Sequence, residues 1–135
     1  MTKSIKKRVA AIAAAMVMAV SGMVTSASAA NLEVTATLSQ SDNYRYAEGT
    51  ATNKTTVSRK LIVTANLYGS SYNYLIQSYG AKQSVGYNGS VDSGEAKYAR
   101  SSVSYARVTA TLYNDAGGYG GEYANANSGY LSYSK

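Results

Sequence analysis

The chain has 135 residues and a formal net charge of +6, and it contains no cysteine, histidine, tryptophan, phenylalanine or proline. Those absences exclude a disulfide framework, a Cys/His zinc site, a Ser-His-Asp triad and a cysteine nucleophile.

The first thirty residues read as an address. Lys3, Lys6, Lys7 and Arg8 form a positive start, an apolar stretch covers 9–24, and Ala27-Ser28-Ala29 stands before Ala30. This is the plan of a secretory signal peptide, with cleavage expected after Ala29. The apolar stretch is 16 residues long and holds Ser21 and Gly22. A spanning helix needs about 20 mostly apolar residues, so a retained anchor fits less well. The expected organisation is a leader, 1–29, and one domain, 30–135. The expected place is secreted or cell-surface associated, through a bacterial export signal, with no membrane span in the mature chain.

Removing the leader changes the charge. Four of the 13 basic residues leave and all seven acids stay, so the mature chain has nine basic and seven acidic residues. A nucleic-acid partner needs a basic patch, and a net +2 provides none by count. Leu, Ile and Val make up only 16 of the 106 mature residues, while all 14 tyrosines remain. Tyrosine supplies apolar area and keeps one polar end that needs a partner. Low charge with many aromatics predicts a folded chain with a small core.

Residues 32–38, L-E-V-T-A-T-L, alternate strictly, with Leu32, Val34, Ala36 and Leu38 on one face. That is the pattern of a half-buried strand. Residues 61–68 and 106–113 repeat it. Weaker strands are expected at 44–52, 72–79, 84–91, 98–104, 119–124 and 129–133. The three strong strands share the words V-T-A-T-L, V-T-A-N-L and V-T-A-T-L, each followed by a polar turn and then tyrosines. Hairpin duplication would produce this echo, and so would ordinary selection for β-branched and small residues in a tight sheet. Ser70-Ser71 and Asp115–Gly118 supply turn chemistry.

A shorter echo is Tyr98-Ala99-Arg100 and Tyr105-Ala106-Arg107, seven residues apart. An odd offset puts the two tyrosines on opposite faces of an unbroken strand, and a bulge or bend near Ser101-Ser102 would restore them to one side. Seven to eight short strands predict an all-β, small antiparallel β-sandwich, with a small β-barrel as the alternative.

The chemistry on offer is thin. Asp92 and Glu95 in V-D-S-G-E-A are the nearest carboxylates in sequence, and the pattern reads as a solvated turn. The same residues lack the dense ladder of a calcium loop. G-G-Y-G-G at 117–121 sits at a predicted hairpin, and not between a strand and a helix as a phosphate cradle would. The reading is therefore of a non-enzyme, with no metal and no cofactor.

The surface is more informative. Tyr, Ser, Gly and Asn are 49 of the 106 mature residues. Antibody binding loops use this palette, in which rigid amphipathic rings combine with adaptable hydrogen bonding. Tyr72, Tyr74 and Tyr79 in one hairpin, with Tyr119, Tyr123, Tyr130 and Tyr133 near the C-terminus, are the candidate ligand-binding residues. The expected partner is a polysaccharide, a cell-wall polymer or a cell-surface protein. Two alternatives stand beside this one. The first is a self-assembling matrix protein that joins through strand edges, since K-L-I-V-T-A-N-L-Y has the composition for cross-β stacking. The second is a small bacteriocin-like antagonist.

Overall fold

The computed structural model describes residues 31–134, and residues 20–29 as backbone alone. Nine strands follow in order: β1 Val20–Ala29, β2 Leu32–Gln40, β3 Tyr44–Asn53, β4 Arg59–Tyr68, β5 Leu75–Val85, β6 Ser90–Ala99, β7 Tyr105–Tyr113, β8 Glu122–Asn127 and β9 Leu131–Ser132. Of the expected leader, residues 1–19 lie outside the described residues. Its last ten form β1, antiparallel to the edge of β2.

From Leu32 onward, eight strands make two antiparallel sheets. Sheet A runs β2-β3-β6, and sheet B runs β5-β4-β7-β8 with β9 also on β7. The sheets stay separate, so the fold is the expected sandwich and not the barrel. All three strong strands form as the alternation requires. Leu32, Val34, Ala36 and Leu38 face Leu61, Val63, Ala65 and Leu67 of β4 and Ala106, Val108, Ala110 and Leu112 of β7 in one buried cluster. Alanine occupies many of the inward positions, among them Ala36, Ala47, Ala51, Ala65 and Ala110. The sheets pack tightly at Gly49, where an added Cβ would sit 2.3 Å from Val108 Cγ1.

Several weaker strands differ from expectation. The 84–91 segment divides into the end of β5, a turn at 86–89 and the start of β6. Asn88 adopts φ 63° there, and the Gly89 amide donates to Gly86 O at 2.9 Å. Asn tolerates this left-handed conformation better than most residues. The expected 98–104 strand ends at Ala99, and the chain turns at 100–102 into the other sheet. The break near Ser101-Ser102 is therefore present. It carries Tyr98 and Tyr105 onto different sheets and does not align them. The 72–79 and 119–124 windows shift toward their C-terminal ends, because irregular turns occupy their first residues, and the 129–133 window shrinks to the two residues of β9.

Asp92 and Glu95 are not in a turn between strands. They lie within β6, where Ser93-Gly94 bulges opposite Gly49 between the pairs Thr50–Asp92 and Glu48–Glu95. Gly94 has φ 83°, the left-handed geometry for which a bulge recruits glycine.

One buried side chain joins the crossovers. Asn53 is fully buried. Its Nδ2 donates to Val57 O and Val85 O, both at 2.9 Å, while its Oδ1 accepts from the Thr55 amide at 2.8 Å and the Thr55 hydroxyl at 2.6 Å. Every polar position of that amide is used, as a buried amide requires.

At the opposite end, Gln40 and Tyr133 tie the C-terminal segment to sheet A. The Gln40 side chain donates to Ser134 O, and the Tyr133 hydroxyl donates to Tyr46 O at 2.8 Å. Burial pushes the Tyr133 hydroxyl well above the usual tyrosine range, and the nearby Arg45 guanidinium opposes part of that rise. The neutral phenol is thus favoured in the folded state. Its contribution is complete below the unfolded tyrosine value of about 10 and is lost as pH rises beyond it. Between pH 10 and 11 this group alone is expected to remove about 1 kcal/mol. Tyr133→Phe should flatten that part of the profile while costing about 1 kcal/mol at neutral pH. Urea unfolding at pH 8, 10 and 11 checks both, and an unchanged alkaline slope in the variant would refute the assignment.

Candidate functional site: a tyrosine knot at one end of the sandwich

The registers place the tyrosines unevenly. Tyr44, Tyr46, Tyr68, Tyr72, Tyr74, Tyr98, Tyr105, Tyr130 and Tyr133 lie at or near the end formed by the 41–43, 69–74 and 100–104 turns. Tyr87, Tyr113, Tyr119 and Tyr123 lie at the other end. Nine of the fourteen are exposed.

The centre of the crowded end is a knot of four rings. Local turn chemistry builds it. The Gly69 amide donates to Tyr74 O at 2.9 Å and the Tyr74 amide to Ser71 O at 3.0 Å. The Asn73 amide donates to Ser71 Oγ at 3.1 Å. This closed turn directs Tyr72 back over β7. There its ring centre lies 4.7 Å from that of Tyr105 and stacks on Tyr130 at 4.1 Å with planes 26° apart. Tyr68 meets Tyr130 edge-on at 5.2 Å. Offset and edge contacts of this kind are favourable beyond the area they bury. Tyr130 is held because β9 pairs with β7 just after it and Tyr133 is fixed to sheet A. Tyr72 is still 49% exposed and Tyr130 37%.

Arg107 lies beneath the knot. Its guanidinium carbon is 4.5 Å from the centre of Tyr130 and 5.8 Å from that of Tyr68. Its Nη2 donates to the Tyr68 hydroxyl at 3.3 Å. Its Nε is buried and has no hydrogen-bond partner.

Sheet B's outer face continues from the knot as polar rows. Cross-strand pairing aligns Ser78, Asn66 and Arg107, then Gly80, Thr64, Thr109 and Asn127, then Lys82, Ile62, Thr111 and Asn125. Gly80 opens a shallow depression of about 200 Å³ against Ile62, Thr64 and Lys82. Flat rings beside rows of hydroxyls and amides can hold a ligand that has both apolar faces and many hydroxyls.

The seven sequence candidates do not form one surface. Tyr72 and Tyr130 are brought together, and Tyr74, 64% exposed, stands in the same turn. Tyr79 lies halfway along edge strand β5, with its ring against Gly94 of β6. Tyr119 is 93% exposed at the far end. Tyr123 is also at the far end, with Arg59 stacked 3.8 Å over its ring and Asn31 donating to its hydroxyl at 3.3 Å. Tyr133 packs against the core. Tyr68, Tyr105 and Arg107 were not singled out as site residues, although the second Tyr-Ala-Arg word marks two of them. Among the described residues no group of Asp and Glu is arranged to hold a metal ion. Comparison with family models, with curated proteins and with solved structures gives no match.

Proposed function

We propose that the protein is a secreted, non-catalytic binding module that holds a polysaccharide or cell-wall polymer on the tyrosine knot and the adjoining outer face of sheet B. The observation that carries this reading is the pair of stacked, half-exposed rings Tyr72 and Tyr130 set at the end of continuous Thr/Asn rows. A sugar ring offers an apolar face to the tyrosines and hydroxyls to the rows. Rigid aromatic anchors lose little conformational entropy on binding.

The purified protein mixed with washed cell walls and insoluble polysaccharides should leave solution saturably on at least one of them. Tyr72→Ala with Tyr130→Ala should weaken that retention about tenfold or more, as loss of central aromatic anchors does. Retention by the double variant equal to that of the parent would remove the knot from the site.

A second reading has its own observation. β1 pairs along β2 from Met23–Leu38 to Ala29–Leu32, so this edge accepts an added strand. Cleavage after Ala29 would leave it open, and β2 carries no proline or lysine to guard it. The processed protein would then self-associate through that edge. A processed chain that stays monomeric for days at high concentration would exclude assembly.

A further inference from the structure

We propose that the polymer held at the knot is acidic, and that Arg107 binds its oxyanion while Tyr72 and Tyr130 hold the neighbouring ring. The proposal rests on the binding-module reading and adds the ligand's chemical class.

The first support is the hydrogen-bonding state of Arg107. A guanidinium has five N–H donors and no acceptor. This one makes a single side-chain hydrogen bond, to the Tyr68 hydroxyl, and its Nε is buried with none. Among the described residues, no acid stands on a neighbouring position of the sheet to neutralise it. Its cross-strand partner is Asn66, whose amide donates to the Arg107 carbonyl at 3.1 Å and leaves the guanidinium alone. A planar fork with free N–H groups matches a carboxylate or phosphate better than it matches a neutral hydroxyl.

The second support is the charge around it. Arg45, Lys97, Arg100 and Arg107 all belong to the tyrosine end, where Asp42 is the one acid among the described residues. Their described contacts are with neutral acceptors and rings. Arg45 donates to Gln40 Oε1 and Val103 O, Arg100 donates to Ser41 O, and Lys97 lies 4.3 Å over the Tyr44 ring. The mature chain is nearly neutral overall, yet this end is positive, and such a field draws polyanions.

The third support is the ring geometry. The guanidinium faces Tyr130, and Tyr130 stacks with Tyr72. An acidic group on Arg107 therefore places the sugar carrying it beside exposed aromatic surface. Carboxylate and phosphodiester share this chemistry, and separate arms of one experiment distinguish them.

The test is retention and titration of the purified protein with polygalacturonate for the carboxylate, a wall teichoic acid for the phosphodiester, and cellulose and dextran as neutral controls. The acidic polymers should bind, with affinity falling as salt rises from 20 to 500 mM because screening weakens exposed charge pairs. Arg107→Gln should weaken binding about 10- to 100-fold, the usual range for loss of a charged hydrogen bond. Arg107→Lys should fall between Gln and the parent. Both variants are checked for an unchanged melting curve and tyrosine circular dichroism, and if Arg107→Gln melts early the comparison rests on Arg107→Lys. Preference for cellulose or dextran, or salt-independent binding unaffected by Arg107→Gln, would overturn the acidic ligand while leaving the Tyr72/Tyr130 module intact. No retention on any polymer would overturn both.

Discussion

Asn53→Asp is expected to cost about 3–5 kcal/mol at pH 7, the range for an uncompensated buried charge. Two main-chain carbonyls, Val57 O and Val85 O, lie 2.9 Å from Nδ2. Replacing that NH₂ by oxygen converts two attractions into two repulsions, and no solvent reaches the site to relieve them. The carboxyl would be held above its unfolded value of about 3.9. The penalty is then complete above the folded value and shrinks as pH falls through it, because the protonated acid can donate to one of the two carbonyls. The difference between variant and parent should therefore narrow between pH 7 and pH 4. Asn53→Ala should cost less, about 1–3 kcal/mol, through lost hydrogen bonds alone and with no pH dependence. Urea unfolding of the three proteins at both pH values decides this. A penalty independent of pH in Asn53→Asp would show that the residue is not the buried hub described. For a domain of ordinary stability, about 5–15 kcal/mol, the larger loss leaves little margin.

Gly49→Ala is expected to destabilise by about 1–3 kcal/mol, the usual cost of overpacking. The new Cβ would stand 2.3 Å from Val108 Cγ1 and 2.9 Å from Val108 Cγ2. Valine is branched at Cβ and restricted at χ1, so it cannot swing aside. The two sheets would have to separate locally, or Val108 would leave its rotamer. Val108→Ala removes both offending methyls. The double variant should thus cost less than the sum of the two singles by about 1 kcal/mol or more, the coupling expected for residues in contact. Additive losses would mean that the sheets do not meet at this point.

Much of the architecture was legible because the inward apolar positions of the three strongest strands recur with a period of two. Their inward residues are Leu, Val and Ala, and Thr is the commonest outward residue, so burial of one face leaves a single register. The hairpin turns at 69–74 and 114–121 were legible for a similar reason, since Ser, Asn, Asp and Gly supply local hydrogen bonds there. Strand boundaries elsewhere were less so. The segment 84–91 has Val85 and Val91 at an even spacing, and the pattern conceals the left-handed Asn88 between them. Asp92 and Glu95 carried a turn signal, Ser-Gly, that the fold uses as a bulge inside a strand. A glycine with positive φ serves both purposes, and local sequence does not separate them.

The site was legible as a composition and not as a place. Tyr72 and Tyr130 are 58 positions apart, and their stacking depends on β9 returning to pair with β7. No periodicity reports that return. Tyr119 and Tyr123 sit close to Tyr130 in sequence, yet a β-strand length separates them from it in space. Arg107 occupied an outward position in a strong strand, where an arginine is ordinarily a solvated side chain. What sets it apart in the fold is the pair of rings, Tyr68 and Tyr130, that lie over it.

The most direct measurement compares two double variants on the polymer that the parent binds best. One removes the rings of the knot, Tyr72→Ala with Tyr130→Ala. The other removes exposed rings at the opposite end, Tyr119→Ala with Tyr123→Ala. Retention should collapse in the first and persist in the second, with both still folded at the assay temperature by circular dichroism. Equal retention in the two, or loss only in the second, would place binding away from the knot and refute the site proposed.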